Sequence, residues 1–238
     1  LDALDPPRAP RRHRARLVTP PCPLCAASSD AFQTVDTQRY WRCPQCELTF
    51  LDAAHHLAPQ PERAVYDQHD NRVDDPRYRA FLARLATPLL HRLDPGSDVL
   101  DYGCGPGPAL AAMMDEAGHR SAVFDPFYAP DEHVLDDLYD AITCTEVAEH
   151  FHHPGDEFTR LASLLRPGGW LGVMTCLQTD DDAFPGWHYR RDPTHVCFYR
   201  EHTLDWMAER YGWGLERPGK DVALFQAGGA RTGGRDRA

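Results

Sequence analysis

Residues 101–107 read DYGCGPG and follow directly on the apolar pair Val99-Leu100. No other stretch restricts the fold as much. Three glycines, Gly103, Gly105 and Gly107, cost backbone entropy to order, and such a cost is met where a chain turns sharply and something approaches its backbone closely. A strand, Asp98 to Tyr102, runs into this turn and a helix, Pro108 to Ala117, leaves it, closed by Gly118. The alternation continues with a strand at Ala122 to Asp125 and another at Asp140 to Thr145. A helix follows over Asp156 to Leu165 with Phe158, Leu161, Leu164 and Leu165 on one face, then a turn at Arg166 to Gly169 and a strand from Trp170 to Cys176. Upstream, Tyr78, Phe81, Leu82, Leu85, Leu89, Leu90 and Leu93 recur at helical spacing until Asp94-Pro95-Gly96 stops them. Downstream, a helix from His202 to Tyr211 ends at Gly212, and Val222 to Gln226 reads as a last strand. This order predicts an α/β fold, a doubly wound and mostly parallel sheet with helices on both faces and ligands beyond the carboxyl ends of its strands.

A second framework precedes it. Four of the eight cysteines fall as Cys22-Pro-Leu-Cys25 and Cys43-Pro-Gln-Cys46, the spacing of a zinc ribbon. Each pair offers two thiolates, and tetrahedral zinc takes four at ~2.3 Å. Phe32 to Val35, Tyr40 to Arg42 and Leu48 to Leu51 read as short strands of the same small module, whose few apolar residues make the metal its expected source of stability. Two disulfides, or a redox pair, are the other readings. A cytoplasmic setting opposes the first and the absence of a βαβ unit around either pair the second. With four sulfur ligands such a metal has no open position for chemistry. Cys104, Cys144, Cys176 and Cys197 show no ligand spacing, and Cys144 and Cys176 read as buried strand residues.

The expected layout is therefore a disordered Arg-rich tail at 1–18, the zinc-ribbon-like module at 19–52, a linker and amphipathic helix at 53–94 with a short helix near Glu62 to His69, the main domain at 95–228, and a disordered tail at 229–238. No window holds the ~18 uninterrupted apolar residues of a membrane span, and no secretory h-region is present, so a cytoplasmic protein is expected. A formal net charge of −11 opposes attraction to a phosphate backbone and disfavours a nucleic-acid partner.

A dinucleotide fingerprint needs a third glycine where this chain has Pro108, so the turn suits a ligand without phosphates. VLDYGCGPG, then FDPFY, then YDAITCTEVAEHFHHP, then LLRPGGWLGVMT, in this order, resembles the seven-stranded class I S-adenosylmethionine-dependent methyltransferases over roughly residues 95–228. The resemblance implies that Gly103, Gly105 and Gly107 give the methionine moiety room, that Asp101 supports the loop and the ligand's ammonium, that Asp125 accepts from the ribose hydroxyls and that Glu146 lies beside the methyl donor. One departure stands out. Only residues 126–139 separate Asp125 from Asp140, where the family fits a helix and a third strand, so a short remnant of that strand is expected and the adenine contact is unassigned. The ribbon joined to such a domain is similar to bacterial methyltransferases of two-part build, some acting on sugars and others on RNA.

Methyl transfer needs nucleophile, methyl and sulfur in line and often a base. WHYRRDPTHVCFY, residues 187–199, crowds aromatic and ionisable groups into one loop. His195 is the leading candidate base, His150 the next and Glu146 the third, against histidines bonded to local backbone. Trp187, Tyr189 and Tyr199 are expected to wall the acceptor pocket, against a place in the core. His150, His152 and His153 with His188 invite a second metal, but three histidines within four residues cannot all face one way. The expected activity is methylation of a small molecule or carrier-bound metabolite. An RNA methyltransferase that docks its substrate on the ribbon, and a non-enzymatic zinc-ribbon adaptor, stay open beside it.

Overall fold

A computed structural model describes residues 19–68 and 71–228. The two tails and His69, the expected end of the linker helix, lie outside the described residues.

The Cys22-Cys25 and Cys43-Cys46 turns bracket a hairpin of β1 (Asp30–Val35) and β2 (Gln38–Arg42), followed by β3 (Thr49–Leu51). Helix α1 (Pro59–Tyr66) starts with proline at its first turn and sits a few residues earlier than the sequence suggested. Helix α2 (Pro76–Leu90) is capped by Asp75, whose side chain accepts from Arg77 N, and buries Leu82, Leu85, Ala86 and Leu89 along one stripe. Then come β4 (Asp98–Tyr102), α3 (Ala109–Glu116), β5 (Arg120–Phe124), β6 (Tyr139–Thr145), α4 (Pro154–Leu164), β7 (Leu165–Met174), the two-residue β8 (Cys197–Phe198), α5 (Glu201–Tyr211), β9 (Gly214–Gly219) and β10 (Val222–Gln226).

The main sheet runs β5-β4-β6-β7-β10-β9. Its β5-β4-β6-β7 part is parallel, while β10 pairs antiparallel with both β7 and β9. The sheet is thus mixed, with six strands. No remnant of a third family strand forms between β5 and β6. Pro126 and Pro130 withhold ladder N–H groups, and Asp131 accepts from His133 N to start a 3-10 turn, Glu132–Asp136, instead. The Arg166–Gly169 turn lies within β7, which begins at Leu165 with a register shift.

Helices α2 and α3 cover one face, where Leu82, Leu85, Leu89, Leu110 and Met114 pack with Trp170 and Leu224. The other face carries α4, α5 and the cysteine module together. Cys22, Trp41 and Leu48 share a single apolar cluster with Phe158, Leu171, Phe198 and Met207. Strand β3 extends the small sheet onto the main domain by pairing Thr49 with Phe198 and Phe50 with Cys197. Arg42 forms a fork onto the Asp181 carboxylate at 2.6 and 2.8 Å. At the first turn of α4, a Cβ on Gly155 would stand 2.7 Å from Leu24 O, so only glycine lets the helix meet the Cys22-Cys25 turn this closely.

Candidate active site

A cavity of about 1080 Å³ opens beyond the carboxyl ends of β4, β5, β6 and β7. On one side lies the turn after β4. Gly103 and Gly105 line the cavity, with φ 79° and 63°, a region that L side chains avoid. Gly107 does not line it. A Cβ there would fall 1.6 Å from Asn71 O, so this glycine admits the chain segment that crosses over the turn. Asp101 also faces away from the main space. Its Oδ1 accepts from Thr143 Oγ1 at 2.8 Å beneath the turn, and burial raises its carboxyl to about 6. Asp125, 8% exposed, lines the cavity. Its Oδ1 accepts from Phe127 N and Tyr128 N, and its Oδ2 from Gly105 N at 3.0 Å. Four lone-pair positions serve three donors, so one on Oδ2 is left for a ligand hydroxyl.

The opposite side is built around Glu149, fully buried in the short turn Ala148–His150. Its carboxylate accepts from Thr175 Oγ1 at 2.9 Å and from the Tyr189 hydroxyl, and burial raises its pKa. His195 Nδ1–H donates to Tyr189 O at 2.7 Å, which leaves Nε2 unprotonated in the neutral ring, 4.0 Å from Glu149 and Asp192. Burial, then His150, lower the His195 pKa and favour that neutral form. His150 Nδ1 faces Thr194 O at 3.2 Å, and the two imidazoles stand 4.7 Å apart. Glu146 follows directly on β6 with φ 52°, a strained backbone for this residue type of the sort that clusters at active sites. Burial, then the neighbouring Glu149, raise it to about 8.

The structure thus brings His195, His150, Glu146, Asp125, Gly103 and Gly105 onto one cavity and sets Asp101 and Gly107 behind its wall. Tyr189 lines the cavity, but Tyr199 is core, its hydroxyl donating to Ala148 O at 3.0 Å, and Trp187 packs against Phe184 and Phe198. Cys176 is only half-buried and lines the cavity, unlike the fully buried Cys144. Glu149, the centre of the acceptor side, carried no role in the sequence reading. Its signal was a carboxylate in EVAEH whose neighbour Ala148 is apolar, three residues after Glu146.

Away from the cavity, Sγ atoms of Cys22, Cys25, Cys43 and Cys46 all lie within 4.8 Å of one another. Cys22 stands 3.6 Å from Cys46 and Cys25 3.3 Å from Cys43, and all four thiols are free. Such a set could hold a metal. Among the described residues no helix is long and apolar enough to cross a membrane.

Comparison with known proteins gives a consistent picture. Residues 68–217 match the family model described as "Methyltransferase domain". A ubiquinone biosynthesis O-methyltransferase of Aeromonas salmonicida is 27% identical over 103 residues, 34% of this chain and 43% of that protein. One from Burkholderia cenocepacia is 48% identical over 37 residues, 16% of each chain. The chain therefore spans less than half the length of these curated relatives. The solved 1,6-didemethyltoxoflavin-N1-methyltransferase of Burkholderia thailandensis, holding 1,6-didemethyltoxoflavin and S-adenosylhomocysteine, superposes with a TM-score of 0.51 at 18% identity. The match covers 85% of this chain and 100% of that one, and shows a shared fold.

Proposed function

This chain belongs to the methyltransferase-domain family, and from that premise we propose that it transfers a methyl group from S-adenosylmethionine to a small molecule or carrier-bound metabolite. The observation that carries the reading is one cavity shared by the glycine turn, Asp125 and the ionisable group of Glu146, Glu149, His150 and His195. The residues fit the cofactor. Gly103 and Gly105 offer bare backbone, and Asp125 Oδ2 keeps one position for a ribose hydroxyl. Asp101, kept near 6 by burial, would regain its charge beneath a ligand ammonium. The cofactor supplies an electrophilic methyl on a sulfonium. On the acceptor side, His195 Nε2 is the group we assign to take the acceptor's proton, with Tyr189 O fixing the ring. His150 and Glu146 flank the same space as the next candidates.

We further read the four cysteines as a structural zinc site. Tetrahedral thiolates at ~2.3 Å from a metal lie about 3.8 Å apart, close to the spacings here. Zinc would hold the turn that leads into β3 and, through it, the loop that delivers His195.

Calorimetric titration with S-adenosylmethionine, with NAD as control, tests the reading. Saturable binding of the methyl donor, weakened at least tenfold in Asp125→Ala, is expected. No binding would return the adaptor reading, and salt-dependent binding of tRNA fragments by the same protein would favour RNA as substrate.

A further inference from the structure

At the acceptor end of the cavity, one ligand atom each of Glu149, His150 and His195 lie within 4.8 Å of one another. His150 Nε2 and His195 Nε2 stand 3.9 and 4.0 Å from Glu149 Oε1. These separations are too long for hydrogen bonds. They exceed by about half an ångström the edge between two ligands held ~2.1 Å from a common cation. Each ring turns its Nδ1 to a backbone carbonyl, Thr194 O for His150 and Tyr189 O for His195. Carbonyls only accept, so Nδ1 carries the proton and the basic nitrogen points to the carboxylate. Outer-shell carbonyls orient metal-ligating histidines in this way. Glu149 itself is held by Thr175 and Tyr189, which fixes the third ligand atom.

The charge balance points the same way. Glu149, buried, and Glu146, half-buried, are two carboxylates on one cavity, and among the described residues neither forms an ion pair with an Arg or Lys side chain. Of the histidines singled out by sequence for a second metal, His150 is one of these three, and His152, His153 and His188 line the same cavity without joining them. His152 pairs with Glu62 and the His56 ring, and His153 is exposed at the start of α4.

We propose that Glu149, His150 and His195 bind one divalent first-row transition-metal cation, separate from the four-cysteine site and facing the methyl acceptor. Two imidazoles and a carboxylate suit Mn²⁺, Co²⁺ or Zn²⁺, whereas Mg²⁺ prefers oxygen alone. Three protein ligands leave positions open to the cavity, where a cation lowers the pKa of an acceptor hydroxyl; with the cation bound, His195 Nε2 is a ligand and Glu146 takes its place as acceptor of the proton. The chemistry assigned to the site rests on the methyl-transfer reading, but the binding does not.

The test is Mn²⁺ titration of protein already carrying zinc on its cysteines, followed by loss of the free-ion electron paramagnetic resonance signal. Mn²⁺ favours nitrogen and oxygen ligands and does not compete for thiolates. One Mn²⁺ per chain is expected. Glu149→Gln and His195→Ala should each weaken it by more than the ~10–100-fold that loss of an outer-shell partner costs. His91→Ala, at the exposed end of α2 and away from the cavity, should bind as the wild type does. Circular dichroism and S-adenosylhomocysteine binding report whether each variant folds. No saturable binding of Mn²⁺, Co²⁺ or Zn²⁺ beyond the cysteine-bound zinc overturns the proposal, and so does unchanged affinity in both variants. Should Mn²⁺ bind while S-adenosylhomocysteine does not, the cofactor reading falls and the metal site stands.

Discussion

The two sides of the cavity are made in different ways. The cofactor side comes largely from one stretch, Tyr102 to Tyr128, the end of a strand, a glycine turn and the end of the next strand, joined by Asn71 where it crosses the turn. The acceptor side is assembled from segments far apart, Glu146 to His153 after β6, Cys176 past β7 and Tyr189 to His195 before β8. That last segment is anchored on the cysteine module, since Leu51 N donates to Val196 O and Val196 N to Glu149 O. One side is set by local backbone geometry, the other by contacts between distant parts of the chain. They should therefore fail separately.

The largest expected separation comes from the cysteines. Cys43→Ala should lower turnover by at least a hundredfold while changing S-adenosylhomocysteine affinity less than tenfold. Equal loss of both, measured by calorimetry and a methyl-transfer assay, would break the comparison. Next is Asp101 on the cofactor side, whose carboxyl is raised by burial from 3.8 to about 6. Between those values the native state keeps a proton that the unfolded chain has lost, so stability falls as pH rises through this window. The loss should reach on the order of 3 kcal/mol above pH 6. Asp101→Asn should flatten the profile, as read by urea unfolding of the free protein across pH 4–7. The smallest effects come from a matched pair of glycines. Gly107→Ala meets Asn71 O and Gly155→Ala meets Leu24 O, so each should cost about 1–3 kcal/mol. Only Gly107→Ala should also weaken S-adenosylhomocysteine binding, and only Gly155→Ala should loosen the cysteine module, followed by zinc release.

The same contrast explains how much of the molecule could be read from its sequence. β4, the turn after it and α3 were legible because apolar residues, three glycines and a helical period follow one another within twenty residues. The α2 stripe from Leu82 to Leu89 was legible for the same reason. β9 was not, since GLERPG offers two glycines, a proline and no alternation, and the strand exists only because β10 pairs with it. β8 was not, because two residues carry no period and its partner, β3, lies in another part of the sequence. At the site, Asp125, Glu146 and His195 stood out by type and position. The burial of Glu149 could not be foreseen, as it depends on Thr175 and Tyr189 arriving from two other segments. Gly107 and Asp101 stand behind the cavity wall, a placement that needs the crossing of Asn71 and the Thr143 hydroxyl to be seen.

The pairing of β3 with β8 also sets a clock on synthesis. Phe50 meets Cys197, about 150 residues further along the chain. At ~5–20 residues per second, roughly 7–30 s pass between the two on a ribosome. When that interval begins the four thiols of the module are already made, and throughout it the sheet that later buries three of them is unfinished. If the four cysteines hold zinc as proposed, metal capture by the nascent chain guards these sulfurs from oxidation, and cells short of zinc should accumulate newly made, aggregation-prone copies before older ones lose their metal.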